Sequence, residues 1–167
     1  SVYIDVKMDP NDKMTKEDLL AIKKVQDQHA LLVKEAKQSY DKILDAKKSI
    51  AIVDKLMENQ PDTIKSEFKK LHKKLHKSLD ELSDLYISPE NVKGIQRNPD
   101  QLNSVLFGAL SYIRSSWSDP KENAMISLDK AKIMTEKSSK SVTTFINGDW
   151  KAYQEKVAKL NVKIFKE

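Results

Sequence analysis

The chain has 167 residues, 33% of them charged and 39% apolar, with a net charge of +5 and no cysteine. That length fits one domain, and the mixture of charged and apolar side chains suits amphipathic helices rather than disorder. Without cysteine there are no disulfides, thiolate nucleophiles or Cys-based zinc sites, and no apolar run approaches the ~18 residues of a membrane span.

The first residues read differently from all that follow. Val2, Ile4 and Val6 alternate with Tyr3, Asp5 and Lys7 at the period of a strand. A lone strand is unstable in water, so Ser1–Met8 is expected to be the last strand of a preceding β domain. The chain starts Ser1-Val2-Tyr3 with no initiator Met, as a processed or excised chain would. Asp9-Pro10 then opens a linker, dividing residues 1–12 from a helical domain over 13–167.

Thr15 is the expected N-cap of the first helix, with Glu17 and Asp18 in its first turn at the positive end of the dipole. Ile22, Val25, His29, Leu32, Ala36, Ile43, Ala46, Ile50, Val53 and Met57 recur at spacings of three and four, with a weak step at Ser39. A helix over Lys16–Met57 would be about 63 Å long. Pro61 ends it, and the second helix starts at Asp62 or Thr63 with a stripe of Ile64, Phe68, Leu71, Leu75, Leu79, Leu82 and Leu85. The short connection makes the two antiparallel neighbours. A long irregular segment, Ile87 to Asn98, is expected to cross the bundle end, pinned by Val92 and Ile95.

Asn98-Pro99-Asp100-Gln101 supplies an N-cap, a proline at the first helical position and a capping-box Gln for the third helix. Leu102, Val105, Leu106, Ala109, Ile113 and Trp117 face inward on it. Asp119-Pro120-Lys121-Glu122 repeats the device for a fourth, with Met125, Leu128, Ala131, Thr135, Val142, Phe145 and Ile146 inward and a polar patch at Ser138 and Ser139. Gly148 reads as a C′ residue and Asp149 as the cap of a short fifth helix carrying Trp150, Tyr153, Val157, Leu160 and Ile164. The expected fold is all-α: an antiparallel four-helix-type bundle with a short fifth helix, preceded by a stray N-terminal strand.

Chemistry-bearing motifs are scarce. The charge excess is local: Lys65–Lys77 holds six lysines and one glutamate. With Arg97 and Arg114 the only arginines, that stripe reads as a solvated face, and no nucleic-acid partner is expected. His72 and His76 share a helical face, but Lys73 stands where a zinc protease needs its glutamate, and lysines surround the pair. They are expected to be exposed beside the Leu71/Leu75 stripe, while His29 lies on the core seam. No glutamate is followed three residues later by histidine, which closes the di-iron bundle for one chain. Ser-x-x-Lys occurs at Ser39, Ser66, Ser118 and Ser127, without the companion motifs of a Ser-Lys nucleophile. No catalytic residue, metal site or cofactor is expected. Phe107, Tyr112 and Trp117, with Trp150 and Tyr153, either plug one end of the bundle or form an exposed platform for a sugar or a partner domain. Trp117, Trp150, Tyr153 and Tyr112 are the candidate contact residues.

The junction Val6-Lys7-Met8-Asp9-Pro10, Met14-Thr15-Lys16-Glu17-Asp18-Leu19, Tyr86, Lys93-Gly94-Ile95-Gln96, Asn98-Pro99-Asp100-Gln101-Leu102 and Asp149-Trp150-x-x-Tyr153 together carry a resemblance. They resemble the C-terminal helical region of large exported Bacteroidetes proteins whose body is a sortilin-like, BNR-repeat β-propeller, often labelled glycosyl hydrolases. The resemblance implies export to the periplasm or cell surface, with any catalytic residue upstream in the propeller. Two functions follow as expectations: a non-catalytic accessory domain that contacts upstream domains, another protein or a carbohydrate, or the helical part of a glycoside hydrolase whose site lies in those upstream domains.

Overall fold

The computed structural model describes residues 3–4, 14–58, 60–89, 98–115 and 120–160. Thr15 caps α1 (Lys16–Met57) through a reciprocal box: its hydroxyl accepts from the Asp18 amide while the Asp18 carboxylate accepts from the Thr15 amide at 2.9 Å. Val25, His29, Ala36, Ser39, Ile43, Ala46, Ile50, Val53 and Met57 are all buried along it, so the heptad-like seam is the core face. The weak step, Ser39, is satisfied across the bundle by the Ser139 hydroxyl at 3.1 Å.

Pro61 precedes α2 (Asp62–Asp84), and its carbonyl accepts from the Lys65 amide at 3.0 Å. The cross-links between α1 and α2 set their direction. Asp54 meets His72, Lys47 meets Asp80, and Tyr40 meets Ser83, so partners climb on α2 as they descend on α1. The two helices are antiparallel over the C-terminal half of α1.

Next comes α3 (Leu102–Arg114), which does not start at the far end of the bundle. Its first amides bond directly to the carbonyls that follow α2: Leu102 to Leu85 at 3.0 Å and Asn103 to Tyr86 at 3.1 Å. Free N–H groups of one helix thereby satisfy free C=O groups of another. Gln101 reinforces the joint, donating from Nε2 to the Asp84 carbonyl at 3.2 Å and accepting from Ser88 Oγ at 2.6 Å. Helix α3 therefore continues the line of α2 along the N-terminal half of α1, where His29 bonds the Leu106 carbonyl and Val25 packs with Ile113. The connection leaves and rejoins at one level. Its two ends meet at the joint between stacked helices, and the middle of the segment expected to cross the bundle end, residues 90–97, lies outside the described residues. Val92 and Ile95, its expected pins, lie outside the described residues.

The return rod is α4 (Glu122–Phe145), a π-helical turn (Ile146–Trp150) and α5 (Lys151–Ala158), without a break. It runs parallel to α1, since Ala124 and Leu128 pack with Val25 at one end and Ser139 meets Ser39 at mid-height. Four main helices thus form an antiparallel all-α bundle in which α2 and α3 share one of three columns. Ile43, Ile50, Leu75 and Leu79, among the largest fully enclosed side chains, each contribute about 1.5–3 kcal/mol by burial.

Two expectations change in the third column, the rod of α4 and α5. Gly148 is not a C′ residue and Asp149 caps nothing, because the backbone stays right-handed helical through the π turn. The seam explains why. Ala124, Leu128, Ala131, Thr135, Ser138, Val142 and Phe145 follow the three–four rhythm, and its next steps would be Asp149 and Ala152. The buried residues are instead Trp150 and Tyr153, each displaced by one. One extra residue in the ladder absorbs the offset. Met125 is exposed and Ala124 takes the inward position, four residues before Leu128.

No strand occurs among the described residues. The strand expected over Ser1–Met8 lies outside them apart from Tyr3 and Ile4, which are exposed and without regular structure. The Asp119 cap and Ile164 also lie outside them.

Candidate functional site

The aromatic residues do not gather at one end. Trp150 is 7% exposed and Tyr153 2%; Tyr153 sits against Phe68 and His72 at the level of Asp54, and Trp150 packs on Tyr153. Phe107 and Tyr112 lie on α3, whose Leu106 is level with His29, roughly 37 Å back along α1. The expectation that Trp150 and Tyr153 form a contact surface is corrected: the π turn rotates both into the core. Trp117 lies outside the described residues, and of the four candidates Tyr112 alone is seen exposed, at 51%.

Around Tyr153 the structure assembles a polar chain. His72 is 4% exposed, buried between Phe68 and Leu75 at spacings of four and three. Its Nδ1 lies 2.5 Å from Asp54 Oδ1, and its Nε2 lies 2.9 Å from the Tyr153 hydroxyl. A carboxylate only accepts, so Nδ1 carries the proton, and in the neutral imidazole Nε2 then accepts from the phenol. Three columns meet here, with Asp54 from α1, His72 from α2 and Tyr153 from α5. Ring centroids are 5.4 Å apart for His72 and Tyr153, and 5.1 Å for Trp150 and Tyr153. At the surface nearby, Lys74 pairs with Asp149 at 3.7 Å and Lys156 with Glu67 at 3.1 Å.

Such a chain resembles a proton relay on paper, yet His72 and Tyr153 are enclosed and only the Asp54 carboxylate reaches water. Both His72 nitrogens are engaged, and a nucleophile or general acid must reach its substrate. The arrangement does the work of a clamp on three columns. It also corrects the reading of His72 as an exposed residue, and it leaves that imidazole no free nitrogen for a metal. His76 is half-buried. Among the described residues no three His, Cys, Asp or Glu side chains are grouped to hold an ion.

Burial pushes the Tyr153 phenol well above its ordinary value of 10.0, and the negative charge of Asp54 adds to the shift. Burial likewise raises Tyr86, partly offset by the hydroxyls of Ser39 and Ser139. Both folded phenols hold their protons above the pH at which unfolded phenols release them. The unfolded chain then binds fewer protons than the folded one, and stability falls as pH rises through the unfolded value. Urea midpoints should decline above about pH 10, and less steeply in Tyr153→Phe. Parallel declines in the two proteins would show that Tyr153 is not the source.

The second arrangement lies on the outward side of α3. Phe107 is 71% exposed and stands beside a groove of about 810 Å³. Val105, Gly108 and Ala109 line it on α3, Tyr112 stands at one side, and Ser127 and Lys130 line it from α4. A β-carbon built on Gly108 would meet nothing within 4 Å, so the groove is open there. Arg114 is the only charged residue in α3. Phe107 is not among the four candidate contact residues, although the inward stripe of Leu102, Val105, Leu106, Ala109 and Ile113 leaves it on the outward side. Asp54 was not visible in the sequence, because its partner is on another helix.

No family model matches the chain, and no curated protein and no solved structure matches it either.

Proposed function

We propose that this chain is a non-catalytic helical contact domain of a larger exported protein, with the outward face of α3 as its working surface. The observation that carries this reading is Phe107, an aromatic side chain held out in water beside an open groove. Single exposed apolar residues are ordinary, but an aromatic next to a cleft on a helical face whose one charge, Arg114, lies at its end has the composition of an interface centre. Tyr112 borders the same groove and belongs to this surface. The pair also offers stacking area to a sugar ring, which keeps a carbohydrate among the ligand classes.

The parent protein rests on sequence. The strand-like alternation of Val2, Ile4 and Val6 supports a β domain ahead of the bundle, and the resemblance to propeller proteins supports the periplasm or cell surface. A contribution to a glycoside hydrolase site gains nothing from the geometry, since His72 and Tyr153 are enclosed and engaged with each other and with Asp54.

The test has two arms. Phe107→Lys should leave the melting temperature within about 2 °C, as a substitution on an open surface does. The chain should also turn over no glycoside or peptide. A large loss of stability in Phe107→Lys would show that the face is already occupied within the fold. Turnover that disappears in His72→Gln or Tyr153→Phe would overturn the non-catalytic reading.

A further inference from the structure

We infer that the basic face of α2 docks on an anionic lipid surface, with Lys69, Lys70 and Lys73 at the centre of the contact. The inference goes beyond the contact-domain reading and uses a different face from that of α3.

Charge without partners is the first observation. Six lysines and one glutamate lie between positions 65 and 77, and Lys69, Lys70, Lys73, Lys74 and Lys77 are all exposed. At the margins Lys65 meets Asp62 and Glu67 meets Lys156. Lys74 and Lys77 reach Asp149 and Glu81 only at 3.7 and 3.9 Å. Among the described residues no acid pairs with Lys69, Lys70 or Lys73.

The order of charges along α2 works against the helix itself. Lys65 and Lys69, Lys69 and Lys73, Lys73 and Lys77, and Lys70 and Lys74 each stand four residues apart, so like charges are surface neighbours. The C-terminal end holds Asp80, Glu81 and Asp84, with no base in the last turn, the reverse of what the helix dipole favours. Helix α1 uses the same spacing the other way, pairing Lys23 with Asp27 and Lys37 with Asp41. A local rule broken on a solvent face, where packing gains nothing from it, points to a contact outside the fold.

The make-up of the face selects the anion. Arginine, with the fork that grips a single carboxylate or phosphate, is absent from α2. No exposed aromatic residue stands there to stack on a base or a sugar: Phe68 and His72 are enclosed and His76 is half-buried. Lysine is also depleted from protein–protein interfaces. The five exposed lysines spread over about 140° of the helix and about 12 Å of its axis. A linear polyanion meets one row of such an array at a time, whereas flexible stems let several rows reach a plane. An anionic bilayer offers that plane, and each lysine near it raises partitioning roughly fivefold. No apolar side chain stands among the lysines to insert, so the contact is peripheral and sensitive to salt.

Co-sedimentation with vesicles tests the inference on the full chain. Phosphatidylcholine vesicles containing about 30% phosphatidylserine should bind it at about 25 mM salt and release it by about 300 mM, and phosphatidylcholine alone should not bind. Lys69→Gln/Lys70→Gln/Lys73→Gln should weaken partitioning about 100-fold. Its melting temperature should hold or rise, because like-charge neighbours are removed. Lys23→Gln/Lys37→Gln/Lys48→Gln removes the same charge from exposed positions on α1 and should weaken partitioning less than about fivefold. No binding to the anionic vesicles at low salt overturns the inference. Equal losses in the two triple variants do the same, since net charge would then be the cause. If heparin binds through the three lysines and the vesicles do not, the face belongs to a soluble polyanion and the lipid assignment falls.

Discussion

Trp150→Ala is expected to destabilise the bundle by about 3–5 kcal/mol, because the indole is enclosed and its removal leaves a cavity. For a chain of this size that corresponds to a fall in melting temperature on the order of 10 °C. The ring stacks at 5.1 Å on Tyr153, one turn after the π segment, so it also holds the register shift in place. The same substitution tests where the contact surface is. If Trp150 belongs to the core, binding through the α3 face should survive at temperatures where the variant remains folded. A variant that melts like the parent would put the indole on the surface and return it to the contact residues. Differential scanning calorimetry of the two proteins decides between these outcomes.

The ease of reading each element tracks how local its cause is. Thr15 with Asp18 is a contact within four residues, and the α1 seam repeats every three or four, so both follow from spacing alone. The end-to-end joint of α2 and α3 is a different matter. It depends on carbonyls of Leu85 and Tyr86 meeting amides of Leu102 and Asn103, and loop length carries no trace of that. A long segment suits an excursion as well as a crossing.

Position 148 shows a second kind of ambiguity. A helix that ends and restarts, and one that takes in an extra residue, produce the same one-step slip in apolar spacing. Glycine and aspartate at the slip favoured the first reading, but the unbroken ladder through Trp150 shows the second. The outcome matters for function, since the continuous rod directs Trp150 and Tyr153 inward.

His72 was partly legible. Its spacing from Phe68 and Leu75 places it on the seam as well as Leu71 does, but the surrounding lysines suggested exposure. What decides its place is Asp54, and that pairing requires the α1–α2 register. Buried polar groups keep their place only with partners. Its partners lie 18 residues back and 81 residues ahead, beyond any local pattern.

The clamp has a signature that distinguishes it from simple packing. In His72→Leu the Tyr153 hydroxyl stays buried with its acceptor removed, which should cost about 1–3 kcal/mol. Asp54, with a side chain 55% exposed, can turn to water and adds little to that loss. Tyr153→Phe alone removes the donor to Nε2 and should cost about 1–2 kcal/mol. Combining the two replaces both ends of the bond by apolar groups, which is far cheaper than stranding either one. The double variant should therefore be more stable than the sum of the single losses predicts, by about 1–2 kcal/mol in a urea-denaturation cycle. Losses that simply add would mean that His72 and Tyr153 pack side by side without holding each other, and the three columns would need another explanation for meeting here.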